Sequence, residues 1–483
     1  MIDRRQFYID GEWVSPAAPR DLPVIDPSTE EEVAVISLGD RADTDAAVAA
    51  ATRAFPDWAA RSMDERAAYL EKLLEVYERR QDEMAEAITL EMGAPRELAR
   101  KSQAPAGTGH IAQAIRAARG FAQVRDLDPD TPGSKIVMEP IGVVGMITPW
   151  NWPMNQVTLK VAYAAAVGCT MVLKPSEIAP LSSAVFAEFM DAAGFPPGVF
   201  NMVQGDGAGV GTQLSEHPGV DMISFTGSTR AGIAITKAAA DTLKRVSLEL
   251  GGKGANLIFA DADERAVARG ARAVFNNSGQ SCNAPTRMLV ERSAYDAAVE
   301  IARETAEATR VASGHEEGRH IGPVVSEAQW TKIQGLIQSG LDEGARLVAG
   351  GLGRPEGLNR GYYVRPTVFA DVHNDMTIAR EEIFGPVLSI LPFDSEEEAV
   401  EIANDTAYGL TNYVQSSDGA RRARLARRLR SGMVEMNGRS RGAGAPFGGF
   451  KASGNGREGG VWGLDEFCEV KSVSGWPDDI AAE

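Results

Sequence analysis

The chain has 483 residues, 44% hydrophobic and 24% charged, an ordinary globular composition at a length beyond what one hydrophobic core organises, so two or three domains are expected. Asp and Glu number 67 against 49 Lys and Arg, a formal charge of -18, which repels a polyanion at long range and argues against nucleic acid as a partner. Three scattered cysteines, Cys169, Cys282 and Cys468, make neither a disulfide framework nor a structural zinc site, so a reducing compartment and no metal are expected.

The opening residues MIDRRQFYIDGEW lack the apolar core of a secretory signal. The most apolar stretch, Val161–Leu173, is too short to span a bilayer. A cytoplasmic location without a membrane partner is therefore expected. From Thr44 to Met92 the chain is rich in Ala, Glu, Leu and Arg, with Leu70, Leu73, Leu74 and Tyr77 at the spacing of one helical face. Ser62 with Glu65 forms a capping-box pattern, which predicts a helix start there within a group of two or three helices.

After the polar, Pro-containing connection Asp126–Ser134, short apolar runs alternate with Ala-rich segments long enough for helices. The runs are Ile141–Ile147, Cys169–Leu173, Val199–Val203, Met222–Phe225 and Val246–Leu250. This alternation predicts βαβ units and a parallel sheet, whose ligands bind beyond the carboxyl ends of the strands. A second α/β alternation follows Gly251 and runs to about Phe450, with helices at Glu264–Val274 and Ala420–Leu429. The Val-Lys-Ser-Val alternation after Glu469 predicts a strand added to a sheet edge.

Several residues just past these runs can carry chemistry, and each also has a plainer reading. Cys282 lies in the polar, Gly-containing segment 277–283, where a thiol can become a nucleophilic thiolate; most cysteines are structural, as Cys169 and Cys468 are read here. Glu249, between leucines and before two glycines, can be desolvated toward the range of a general base, or can be a solvated strand-end carboxylate. Asn151, on a turn fixed by Pro149 and Pro153, can donate to an oxyanion or serve the turn. Lys174 and Glu177 close the second run, where dinucleotide-binding sheets read ribose hydroxyls. The segment from Gly207 to Gly211 misses the usual G-x-G-x-x-G spacing, because Val210 takes the third glycine's place. Ser228 in Thr226-Gly227-Ser228 opens a predicted helix, either as a phosphate-facing N-terminus or as a simple cap.

Together the segments Pro149-Trp150-Asn151-Trp152-Pro153, Lys174-Pro175-Ser176-Glu177, Phe225-Thr226-Gly227-Ser228, Leu248-Glu249-Leu250-Gly251-Gly252-Lys253, Gly279-Gln280-Ser281-Cys282, Glu381-Glu382-Ile383-Phe384-Gly385-Pro386 and Pro446-Phe447-Gly448-Gly449-Phe450-Lys451 resemble the aldehyde dehydrogenase superfamily, in its order. The resemblance implies an α/β fold with a Rossmann-like NAD-binding domain (1–123 and 140–250), a catalytic domain (251–450) and a small β extension for oligomerisation (124–139 and 469–483). It further implies oxidation of a small-molecule aldehyde to its acid with NAD rather than NADP, in a homodimer or homotetramer.

By position, Cys282 is then the nucleophile, Glu249 the general base and Asn151 an oxyanion donor together with the Cys282 N–H. Thr148, Pro149, Trp150, Lys174, Glu177, Gly207, Gly211, Phe225, Thr226, Gly227, Ser228, Leu250, Glu382 and Phe384 fall to the cofactor, and Glu458 is a secondary base candidate. One departure concerns the substrate. The segment Asn437–Gly442, where many members carry aromatics, holds Arg439 and Arg441; with Phe447 these are the candidate substrate residues, and a guanidinium there suits an aldehyde bearing a remote acceptor group.

A cysteine-dependent thioesterase or other hydrolase is the rival reading, but it normally needs a His base, and His110, His217, His315, His320 and His373 all lie outside these motifs. A non-catalytic binding protein and a coenzyme-A-acylating relative are further alternatives. Intact Cys282, Glu249 and Asn151 argue against the first, and a water-activating Glu249 against the second.

Overall fold

The computed structural model describes residues 1–131 and 133–477; Pro132 and 478–483, which belong to the expected extension, lie outside the described residues. All five predicted runs are strands of one sheet, in the order Arg245–Glu249, Met222–Thr226, Val143–Ile147, Thr170–Lys174, Phe200–Met202, paired in parallel. Four of them are buried along their whole length, which is why the sequence shows continuous rather than alternating apolar runs. The chain builds outward in one direction from Val143–Ile147 and then returns to its other side at Met222–Thr226. That reversal opens a crevice at the carboxyl ends of these two strands.

The first strand feeds the helix Pro153–Val167, buried on every face, with Pro153 in its first turn and a left-handed Gly168 (φ 108°) after its end. The apolar stretch Val161–Leu173 is therefore the end of this helix plus most of the strand Thr170–Lys174. No described helix is long and apolar enough to cross a membrane. Three helices occupy Arg41–Ala59, Met63–Arg79 and Gln81–Met92, and Ser62 with Glu65 forms the expected reciprocal cap.

The N-terminal region also holds strands that the pattern did not reveal. Phe7–Ile9 and Glu12–Val14 extend the first sheet in antiparallel fashion. Ile2–Arg4, Asp21–Asp26 and Glu31–Ser37 make a separate small sheet. Most are too short for a period-two pattern to emerge.

The second sheet runs in the order Arg346–Ala349, Thr367–Ala370, Val387–Phe393, Arg287–Glu291, Ala255–Ile258, Thr411–Gln415, Met433–Met436, parallel except for its first strand. Helices at Ala266–Phe275 and Gly419–Arg428 match the two predicted ones within a few residues. Beyond Phe450 the chain returns to the first sheet: Gly454 bridges Glu249, and the helix Gly460–Glu466 packs on Pro153–Val167. The last strand, Cys468–Ser474, pairs along its length with Ser134–Pro140, which also pairs with Val124–Asp126.

Candidate active site

The loop carrying Cys282 leaves the helix Ala266–Phe275 through three consecutive left-handed residues, Asn277 (φ 50°), Ser278 (φ 54°) and Gly279 (φ 75°). Such a path is unfavourable for two non-glycine residues and persists only where the surroundings over-determine it. Here they do. The Asn277 side-chain amide donates to the Asn151 carbonyl (2.9 Å), the Asn151 amide to the Gln280 carbonyl (3.1 Å), the Ser278 hydroxyl to Gly322 (2.7 Å) and the Trp152 indole to the Ser281 hydroxyl (2.9 Å). A Cβ on Gly279 would sit 2.0 Å from the Gly385 carbonyl, and one on Gly252 would sit 2.2 Å from the Cys282 carbonyl oxygen. Glycine at both positions lets three distant segments close around the thiol.

Cys282, Asn151, Pro149, Trp150, Thr226, Gly227, Ser228, Leu250, Glu382 and Phe384 line one open cleft of about 220 Å³. Gly207, Gly211 and Phe225 line a neighbouring cavity across the same strand ends. Thr148 is buried and its N–H donates to the carbonyl of Lys174 (3.2 Å). The buried Lys174 ammonium donates to Glu177 (3.1 Å) and to the Gly205 carbonyl (2.8 Å), and burial lowers its pKa against the pull of Glu177. Ser228 caps the helix Thr229–Ala239, accepting from the Ala231 N–H (3.3 Å), while also facing the cleft. The Gly207–Gly211 segment is a helical turn capped by Asp206 rather than a dinucleotide fingerprint. Glu382 accepts from the Gly252 N–H (2.8 Å) and its carboxyl is pushed up by burial. Phe384 is held at φ 59°, with its carbonyl accepting from the Gln329 amide (2.8 Å) and its ring edge-on to Trp150.

Glu249 is buried, and neither carboxylate oxygen has a hydrogen-bond partner among the described residues. Burial raises its pKa well above the ordinary carboxylate range; Glu458 adds to the rise, and Lys160 and Arg457 oppose it. The desolvated-carboxyl reading therefore holds and the solvated one does not. For Cys282 the reverse correction applies. Its polar neighbourhood suggested an easily formed thiolate, but burial, then Glu382, then Glu249 push the half-buried thiol upward, against its own and the Asn283 N–H. A polar sequence context does not guarantee solvent or a nearby cation.

Glu458 forms a buried ion pair with Lys160 (2.5 Å), whose ammonium also donates to Ser224 (3.1 Å). Sequence reading missed Lys160. Its one signal was a lone cation in an otherwise apolar, Ala-rich stretch, which demands a buried partner. Breaking such a pair costs about 3–5 kcal/mol, so Glu458 substitutions would report on folding as well as on proton movement. Asn277, Gln329 and Lys332, whose ammonium donates to the Glu382 carbonyl (2.8 Å), were missed too, because side chains that brace distant loops carry no local pattern. Phe447 is hydrogen-bonded to the Glu458 backbone in both directions (2.7 and 2.8 Å), and the Arg441 guanidinium stacks over its ring at 4.7 Å. Arg439 is exposed instead.

A model of the aldehyde dehydrogenase family matches residues 13–473. The chain is 52% identical over 478 residues to a 3-succinoylsemialdehyde-pyridine dehydrogenase from Pseudomonas sp, covering 99% of each. The chain belongs to the aldehyde dehydrogenase family. Among solved structures, the aldehyde dehydrogenase from Bartonella henselae is 59% identical with a TM-score of 0.98, covering 99% of this chain and 100% of that one. A mutant of aldehyde dehydrogenase C from Pseudomonas syringae, in complex with NAD+ and octanal, is 47% identical with a TM-score of 0.96, covering 99% and 98%. An aldehyde dehydrogenase is an oxidoreductase, so the hydrolase reading recedes. The geometry agrees, since among the described residues no histidine is hydrogen-bonded to Cys282, and His110 binds Asn155 (2.7 Å) instead.

Proposed function

We propose that this aldehyde dehydrogenase oxidises its substrate through a thioester on Cys282, with NAD as hydride acceptor. The observation that carries the reading is that Cys282 and Asn151 share one cleft with Glu382 and Phe384, while the buried carboxyl of Glu249, without a hydrogen-bond partner among the described residues, bears electrostatically on the thiol. An aldehyde gives up hydride readily only once a nucleophile has made its carbon tetrahedral. The Cys282 sulfur adds to that carbon, and the oxyanion so formed is met by the Asn151 amide and the Cys282 N–H. Asn151 suits this role because one of its N–H bonds is spent on Gln280, which fixes the amide plane before the substrate arrives. Loss of hydride from that carbon turns the adduct into a thioester; Glu249 then takes a proton from water, whose oxygen attacks the thioester carbon, and the C–S bond breaks, releasing the acid and a Cys282 thiolate that recovers the proton from Glu249.

The cleft fits a nicotinamide dinucleotide. A Cβ on Gly227 would meet the Phe225 ring at 2.4 Å and one on Gly251 the Glu382 carboxylate at 2.5 Å, so both turns are bare backbone surfaces. The Thr226 hydroxyl is buried beside them with no hydrogen-bond partner among the described residues. Lys174 and Glu177 would hold the adenosine ribose, Ser228 and the helix start after it the pyrophosphate, and Glu382 the nicotinamide ribose, with Phe384 against the ring. Bound there, NAD supplies the hydride acceptor.

NAD is preferred over NADP because the Glu177 carboxylate accepts from both ribose hydroxyls and repels a 2′-phosphate. Unit charges 4 Å apart repel by about 4 kcal/mol near a protein surface, and solvent at the partly exposed Glu177 reduces this, so a kcat/KM preference of about tenfold or more is expected. Steady-state comparison of the two cofactors checks it, and parity or a preference for NADP would refute it. We assign the first sheet with its helices to cofactor binding, the second to catalysis and the Cys468–Ser474 sheet to self-association. That strand is paired on one side only among the described residues, and Val470 is 64% exposed, an open edge that monomers avoid. Light scattering at micromolar concentration should report a dimer or tetramer; a 51.5 kDa particle would contradict the assignment.

A further inference from the structure

Arg439 and Arg441, two residues apart in one loop, have separate fates. Arg439 is exposed, whereas Arg441 is half-buried with its guanidinium over the Phe447 ring. Its surroundings can be traced bond by bond. Asn283, next to Cys282, has its carbonyl held by the Tyr413 hydroxyl (2.5 Å). Tyr413 lies directly opposite Glu435 in the strand pair that also carries Met433. An Arg441 Nη1 rests against the Met433 sulfur (3.3 Å), the guanidinium covers Phe447, and Phe447 is bonded to Glu458. Arg441 therefore belongs to a wall that begins at Asn283, next to Cys282, and ends at Glu458, whose charge bears on Glu249.

The guanidinium is not ion-paired with any carboxylate among the described residues; its one side-chain hydrogen bond is to a thioether, a weak acceptor. Five donors on a rigid fork are thus left mostly unanswered in a half-buried place. Burial lowers the Arg441 pKa, while Glu435, Cys282, Glu458 and Tyr413 pull it upward, so these groups share one local field. Lys160 on the far side is already neutralised by Glu458, and burial keeps the His110 imidazole toward its neutral form. Arg441 is the cation in this wall with hydrogen-bonding capacity to spare.

We propose that Arg441 is a specificity-determining residue: stacked on Phe447, it receives an oxygen acceptor, a ketone carbonyl or a carboxylate, carried by the aldehyde several carbons from its reacting carbon. This rests on the Cys282 reading of the site and names the substrate class for it. Phe447 fixes the guanidinium plane, so the fork is pre-organised and little side-chain freedom is lost when the acceptor arrives. The acceptor's distance from the aldehyde is set by the span from Cys282 to Arg441, which makes chain length part of the selection.

The test uses three aldehydes of equal chain length, ending in carboxylate, methyl ketone or methyl, assayed on the intact NAD-loaded enzyme, on R441Q and on R439Q. Wild type should favour at least one acceptor-bearing aldehyde over the methyl-ended one, mainly through KM, and R441Q should shrink that ratio about tenfold or more. The arm that loses more identifies carboxylate or ketone. R439Q should leave the ratio in place. If R441Q moves the ratio by less than about twofold, or wild type favours the methyl end, Arg441 does not read the substrate. Should R441Q fold poorly, competitive inhibition of wild type by the three matching carboxylic acid products carries the same ranking, and equal inhibition constants would overturn the proposal. Failure of wild type to oxidise any of the three would instead strike the Cys282 reading itself.

Discussion

Replacing Cys282 with Ala is expected to lower aldehyde oxidation by at least about a thousandfold while leaving NAD affinity within a fewfold of wild type. A thousandfold is about 4 kcal/mol of transition-state stabilisation, a modest demand for a group without which the carbonyl carbon never becomes tetrahedral. Cofactor affinity should survive because Lys174, Glu177 and Ser228 stand on the first sheet's strand ends, whereas Cys282 comes from a loop braced by Asn151, Gly322 and Trp152. Truncating the thiol removes none of those braces. Steady-state NADH formation and a titration of NAD binding check both halves. Residual oxidation within tenfold of wild type would remove Cys282 from the chemistry.

The second large effect concerns Glu249. Glu249→Gln keeps the shape of the side chain but cannot accept a proton, so a first burst of NADH close to one per active site should be followed by a stall of about a hundredfold or more. Turnover without a stall would move the base role elsewhere, with Glu458 the next candidate. The sign of the pH dependence follows from the same residue. Burial raises the Glu249 pKa well above its usual range, and the Cys282 thiol is also raised. A base works deprotonated and a thiol attacks as thiolate, so wild-type kcat/KM should increase with pH through the neutral-to-alkaline range. A profile that falls over this range would contradict the buried environment described for both groups.

How much of this was legible beforehand can be traced to particular residues. The five runs of the first sheet, four of them buried throughout, showed themselves as runs, since a parallel sheet covered on both faces needs no alternation. The Ser62–Glu65 cap was visible because its hydrogen bonds join residues three apart. The small N-terminal strands were not, because strands of a few residues are defined by partners far along the chain. The same limit governed the site. Motifs placed Cys282, Glu249, Glu382 and Phe384, but not the state of the thiol, which depends on two carboxylates that chain folding brings to it. Nor could sequence separate Arg439 from Arg441, two residues apart and oppositely placed. Lys160, the counter-ion of Glu458, is 298 positions away from it.

The covalent intermediate itself offers the most direct test. Glu249→Gln enzyme mixed with NAD and excess aldehyde, quenched in acid and examined by intact-protein and peptide mass spectrometry, should carry the mass of the aldehyde less two hydrogen atoms, on the peptide containing Cys282. NADH appearing in the same sample with no adduct, or with the adduct on Cys169 or Cys468, would contradict the thioester account.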